Sequence, residues 1–194
     1  LFSDDELINE PGTTMMYTTH GTTLATAVIE KAGEKRFETQ LKELWDRLGM
    51  HSTGLDRNAN IVPNRAKYYI RSPKGILENS PEVDNSYKWG GGGVLSNTPD
   101  LCAFANAILY SNQASPGAAS SPLLSRQTSA ELWKPHADFR QKWKYCLCWN
   151  VKPAEETLGG GRTVRPRYSH TGAAVGSSGA LLVQPREQKQ DGVP

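Results

Sequence analysis

Near the start of the chain the apolar positions follow the helical period. Leu24, Val28, Ile29 and Ala32 recur at that spacing between about His20 and Ala32, and Gly33 is a natural stop. Phe37, Leu41, Leu44, Trp45 and Leu48 form a second stripe, which Gly49 ends. The two stripes predict a helical hairpin packed on a core. Residues 51–88 keep no sustained period and read mostly as loop, with Ala66–Ile70 as a short strand. After the run Gly90–Gly93, Thr98 is the expected N-cap of a further helix, with Pro99 at its first position. Leu101, Phe104, Ala105, Ile108 and Leu109 line one face of that helix. Ser115–Ser121 is rich in Ser, Ala and Pro and reads as a mobile surface loop. Ser125 caps a short helix that stops before Pro135.

From Trp143 to Val151 the period changes to two, with Tyr145, Leu147, Trp149 and Val151 on one side, which predicts a strand. Gly159-Gly160-Gly161 reads as a hairpin turn, and Arg167–Thr171 and Ser178–Gln184 as two more strands. Helices come first and sheet last, without a βαβ rhythm or an internal repeat. That order defines an α+β fold with an antiparallel sheet.

Composition narrows the function classes. The 194 residues suffice for one domain with a real core. Net charge is +2, from 22 basic and 20 acidic residues mixed along the chain, so no basic face supports nucleic-acid binding. The apolar runs are too short to span a bilayer, and no membrane span is expected. Cys102, Cys146 and Cys148 have no disulfide spacing and weakly favour a reducing setting; Cys146 and Cys148 would share one strand face as small buried hydrophobes. The four histidines, His20, His51, His136 and His170, lack metal-ligand spacing. No metal and no cofactor is expected.

The candidate chemistry lies in two places. His170-Thr171-Gly172 opens a predicted strand. His170 would be a positive or hydrogen-bonding group near a base, and Thr171 would offer a hydroxyl to a substrate oxygen. Gly172 would let substrate lie against the backbone, and the Ala173 N–H could donate to an oxyanion. The blander reading is a polar strand start with a glycine chosen for turn geometry. Tyr17 precedes the first helix on a hydroxyl-rich turn. It would serve as a base only if cationic neighbours lowered its pKa, and otherwise it is a hydrogen-bonded, partly buried aromatic.

Taken in order, these segments resemble the class C β-lactamase and penicillin-binding family. The resemblance rests on Pro11-Gly12-Thr13, Tyr17, Leu48-Gly49-Met50, Gly91-Gly92-Gly93-Val94-Leu95-Ser96 with Asp100-Leu101, and the His-Thr-Gly strand. It covers roughly Leu1–Pro185, a partial domain with a mostly helical part over 1–140, strands over 141–185, and a polar tail over 186–194. Val83–Gly92 and Ser169–Gly176 are similar to the animal mitochondrial branch of that family, which implies a mitochondrial location. The family implies a β-lactamase/transpeptidase-like fold and acyl-enzyme hydrolysis of a peptide-like or acyl substrate. Tyr17 and His170 would then be catalytic, and Thr19, Thr171, Gly172 and Ala173 substrate-binding.

Two departures qualify this. The family's Tyr-x-Asn reads Tyr17-Thr18-Thr19 here, so a hydroxyl replaces an orienting amide, which argues against antibiotic hydrolysis as the biological role. No Ser-x-x-Lys occurs in the 194 residues; Thr39-Gln40-Leu41-Lys42 mimics it but reads as helix surface. The expectation is a segment that begins after the nucleophile and ends before the family's last strand and long helix, inactive and poorly soluble alone. The branch also implies a second reading, a structural scaffold that self-associates into oligomers or filaments, with a vestigial or secondary active site.

Overall fold

The computed structural model describes residues 4–115, 117–118, 120–139, 142–156, 163–174 and 176–186. The expected turn at Gly159-Gly160-Gly161, part of the Ser115–Ser121 loop and most of the polar tail lie outside these residues.

α1 (Thr19–Gly33) begins at an N-cap, Thr18, whose hydroxyl accepts the His20 N–H, and ends on Glu34 in the left-handed region at φ 51° rather than at Gly33. α2 (Phe37–Leu48) closes on Gly49 at φ 69°, where a left-handed C-cap favours glycine. The two helices form the expected hairpin, joined by the Phe37 N–H donating to Glu30 Oε1 at 2.7 Å and by Gln40 Nε2 donating to the Ile29 carbonyl at 3.1 Å.

Within the hairpin α2 keeps its expected face partly buried, but α1 does not. α1 has no buried residue, and Leu24, Val28 and Ile29 are exposed. Its threonine face packs inward instead, because the glycines that follow let a backbone come close only to short side chains.

The stretch read mostly as loop holds more structure than its sequence period suggests. It contains β1 (Gly54–Leu55) and an antiparallel pair, β2 (Tyr69–Arg71) with β3 (Leu77–Asn79). A 3₁₀ turn (Ser86–Lys88) runs into the one-turn helix α3 (Trp89–Gly92), and β4 (Val94–Leu95) then pairs with β1. Asp56, 3% exposed, anchors this region: its Oδ1 lies 2.9 Å from Arg65 Nη1, and its Oδ2 accepts from Asn85 Nδ2 at 2.9 Å.

α4 (Thr98–Gln113) is capped one residue earlier than expected, by Asn97, whose Oδ1 accepts the Asp100 N–H at 2.9 Å. Asp100 is buried in turn and accepts from the Ser52 N–H at 2.8 Å and the Thr53 hydroxyl at 2.7 Å. α5 (Arg126–Leu132) starts at Ser125, whose hydroxyl accepts the Thr128 N–H.

The predicted strand over Trp143–Val151 is broken in two. β5 (Ala137–Phe139) and β6 (Trp143–Tyr145) lead into a tight turn, and the chain returns as β7 (Asn150–Lys152). The turn is closed by the Cys146 N–H donating to the Trp149 carbonyl at 2.7 Å, and it places Cys148 at φ 60°. The two cysteines therefore do not share a face: Cys146 is buried, while Cys148 is exposed. β8 (Glu155–Glu156) pairs with β9 (Thr163–Val164), and β10 (Arg167–Ala174) and β11 (Ser177–Val183) complete the sheet. Its order is β11-β10-β7-β6-β5, antiparallel throughout.

The core lies between α4, α5 and this sheet. Ile108, Trp133, Cys146, Trp149, Val151 and Val183 are buried there, with Phe104, Leu109, Leu132 and Tyr168 packed against them. Trp133 stacks on Tyr168 with centroids 4.2 Å apart and meets Trp149 edge-on. Each such side chain taken from water contributes about 1.5–3 kcal/mol, so this layer is what fixes the sheet.

Candidate active site

His170 lies on β10 opposite Leu181 of β11, one residue beyond Ser169, the last β10 residue paired with β7. From His170 to Ala174 the strand is therefore bonded to β11 on one side, and among the described residues no strand pairs with its other edge. Thr171, Gly172 and Ala173 follow along this edge and are exposed. A Cβ built on Gly172 would meet nothing within 4 Å, so nothing in the described chain demands a glycine there.

Tyr17 reaches the same place from the other end of the chain. It lies on an irregular segment between a turn over residues 11–14 and the Thr18 cap, and its side chain is 54% exposed. Its ring centroid is 6.0 Å from that of His170, with the planes tilted by 33°. Two residues remote in sequence are thus brought into ring contact beside the open edge of β10.

Thr19 is placed differently. Its Cγ2 faces Gly91 across the α1–α3 contact, where an added Cβ would lie 2.6 Å away. Thr39 and Lys42 lie exposed on α2, and Lys42 pairs with Asp46 at 2.6 Å.

Tyr145 is the neighbour that sequence reasoning missed. At the end of β6 its ring meets Tyr17 edge-on, with centroids 6.3 Å apart. Burial pushes its phenol up to about 12, and the nearby Cys148, Tyr17 and Cys146 add to the rise. In the alternating run it reads as one more core residue; only the strand break at the turn sets it apart from Trp149 and Val151.

Among the described residues no group of His, Cys, Asp and Glu could hold a metal ion, and no helix is long and apolar enough to cross a membrane.

An antiparallel sheet flanked by helices, with an open-edged His-Thr-Gly strand facing a tyrosine before a helix, defines a β-lactamase/transpeptidase-like fold. The chain belongs to the beta-lactamase family, whose model matches residues 2–189. Its similarity to the mouse mitochondrial "serine beta-lactamase-like protein LACTB" is 37% identity over 202 residues, covering 100% of this chain and 37% of that protein. The chain therefore spans little more than a third of the length of that relative. In fold it is similar to a penicillin-binding protein from Bacillus halodurans, at a TM-score of 0.71 and 19% identity, covering 94% of this chain and 51% of the other. A second likeness is to an octameric penicillin-binding protein homologue from Pyrococcus abyssi, at a TM-score of 0.73 and 18% identity, covering 92% and 37%.

Proposed function

We propose that the protein carrying this chain is a serine hydrolase that works through an acyl-enzyme on a peptide-like or acyl substrate. The observation that carries this reading is the Tyr17–His170 ring contact beside the open edge of β10. Tyr17 is the base or proton shuttle for the serine, and His170 is its electrostatic partner. Substrate lies along Thr171–Ala173, with the Thr171 hydroxyl clamping an anionic or carbonyl oxygen and the Ala173 N–H donating to the oxyanion. Gly172 leaves room for that approach, since no contact within the described chain fills the space. Thr19 contributes through the placement of α1 rather than as a direct clamp, given its contact with Gly91.

The nucleophile comes from a Ser-x-x-Lys segment that these 194 residues do not contain. Alone, the chain leaves a chromogenic cephalosporin and a peptide ester intact and is not labelled by a serine-reactive probe. With such a segment present, as a longer chain, hydrolysis and labelling appear, and Tyr17→Phe lowers kcat by about 10²–10⁴-fold, the usual worth of general acid–base help. Full activity in the Tyr17→Phe variant would remove Tyr17 from the reaction. By likeness to the mitochondrial relative, the protein acts in mitochondria.

The exposed apolar stripe of α1, Leu24 and Val28, favours a second reading in which the protein also self-associates. One structural relative is described as octameric. Light scattering tests this: a wild-type oligomer that Leu24→Glu/Val28→Glu dissociates supports it, and a wild-type monomer excludes it.

A further inference from the structure

The Tyr17 side chain is poorly held by its own segment. Residues 15–18 form no regular structure, and the ring is more than half exposed. A base that must meet a serine at hydrogen-bond distance needs a wall, and the contacts show where one is. We propose that Tyr145 is a positioning residue for Tyr17, its ring meeting the Tyr17 ring at right angles and holding it against His170. The proposal rests on the reading of Tyr17 as the base.

Tyr145 is suited to this because it is fixed by the sheet. Its backbone pairs with Ala137 of β5 and Asn150 of β7, and its carbonyl accepts the His136 N–H at 2.9 Å. Phe139 of β5 backs its ring at a centroid distance of 5.6 Å. The rings of Phe139, Tyr145, Tyr17 and His170 thus form a continuous series from β5 to β10. β7 joins the two strands at Asn150, which pairs with Tyr145 on one side and Ser169 on the other, and beyond that row Tyr17 is the aromatic link between Tyr145 and His170. The interplanar angle of 80° at Tyr145 is the edge-to-face arrangement that aromatic pairs prefer.

Its chemistry suits the role as well. The groups that act on Tyr145 electrostatically are Cys148, Tyr17 and Cys146, and its hydroxyl stays protonated until about 12, chiefly through burial. Over the range in which a hydrolase works, Tyr145 therefore remains neutral. It adds no negative charge beside Tyr17 and does not compete with it as a base.

The test is nuclear magnetic resonance on protein with isotope-labelled Tyr and His rings, joined to ester hydrolysis by the longer chain that carries the Ser-x-x-Lys segment. In the wild type, ring-to-ring cross-peaks are expected for Tyr17–Tyr145 and Tyr17–His170. Tyr145→Phe keeps the ring and should retain both. Tyr145→Leu should lose the Tyr17–His170 cross-peak and lower kcat about 2–10-fold, the worth of an aromatic pair, with KM unchanged. Absence of the Tyr17–Tyr145 cross-peak in the wild type, loss of the Tyr17–His170 cross-peak in the Phe variant, or its persistence in the Leu variant would each overturn the proposal. If the Leu variant does not fold, the wild-type and Phe arms still decide. The reading of Tyr17 as base is judged separately: hydrolysis undiminished in Tyr17→Phe removes the base but leaves the cross-peaks to judge the positioning.

Discussion

Gly91 meets Thr19 so closely that a Cβ on the glycine would lie 2.6 Å from the threonine Cγ2. The Thr22 hydroxyl would be 2.7 Å away and the Thr19 carbonyl 3.2 Å, and Gly90 meets Thr26 in the same manner. The glycine run is therefore the seat of α1, and α1 carries Tyr17 immediately before its cap.

This seat can be tested by filling it. Gly91→Val is expected to lower stability by about 1–3 kcal/mol, because β-branched threonines on a helix cannot move aside freely. Gly91→Ala combined with Thr19→Ser, which removes the opposing methyl, should be more stable than Gly91→Ala alone. Urea midpoints measure both, and an additive pair of changes would show that the contact is not the cause.

Asp100 ties the turn after α2 to the start of α4. Both the Ser52 N–H and the Thr53 hydroxyl donate to its carboxylate, so replacing Asp100 by Ala strands the Ser52 N–H and leaves the Thr53 hydroxyl only its Ser96 partner. The expected loss is about 1–3 kcal/mol, seen as a lower thermal midpoint, with Asp100→Asn losing less because it keeps one acceptor oxygen.

The cysteines should divide by exposure. At pH 8 a thiol reagent is expected to label Cys102 and Cys148 in the folded protein and Cys146 only after unfolding, since Cys146 is 2% exposed and its thiol donates to the Trp133 carbonyl. Burial pushes the Cys146 thiol up to about 11 from an ordinary value of 9.0. The folded state then holds this proton more tightly than the unfolded state. Its contribution to stability is complete below pH 9 and falls as the pH rises through about 11. Tyr145 adds a similar loss at higher pH, between 10.0 and about 12. Denaturant midpoints measured across this range should decline, and Cys146→Ala should flatten the lower part of the fall.

Cys148 occupies a backbone conformation, φ 60°, that suits glycine better than a residue with a Cβ. Cys148→Gly is expected to raise stability by about 0.5–1 kcal/mol, the left-handed strain of about 1–2 kcal/mol less the added entropy of glycine when unfolded. Equilibrium unfolding checks the sign. Cys148→Val should shift it the other way.

Local chemistry made much of this molecule legible in the sequence. α2 and its Gly49 stop, the Ser125 cap of α5, and the strands around His170 and Leu181 all follow from periods and capping residues that act within a few positions. The Tyr17 and His-Thr-Gly motifs, together with the blocks between them, carried the family resemblance. Other features depend on what lies across the fold. A stripe of Leu24 and Val28 signals a helix, but which side of α1 packs was decided by Gly90 and Gly91, which admit threonines and leave the leucine outside. Alternation from Trp143 to Val151 signals a strand, but the backbone of Cys148 turns it into a hairpin. The meeting of Tyr17, Tyr145 and His170 belongs to the tertiary structure alone, because ring contacts between distant residues are set by the packing of the whole sheet and by no local pattern.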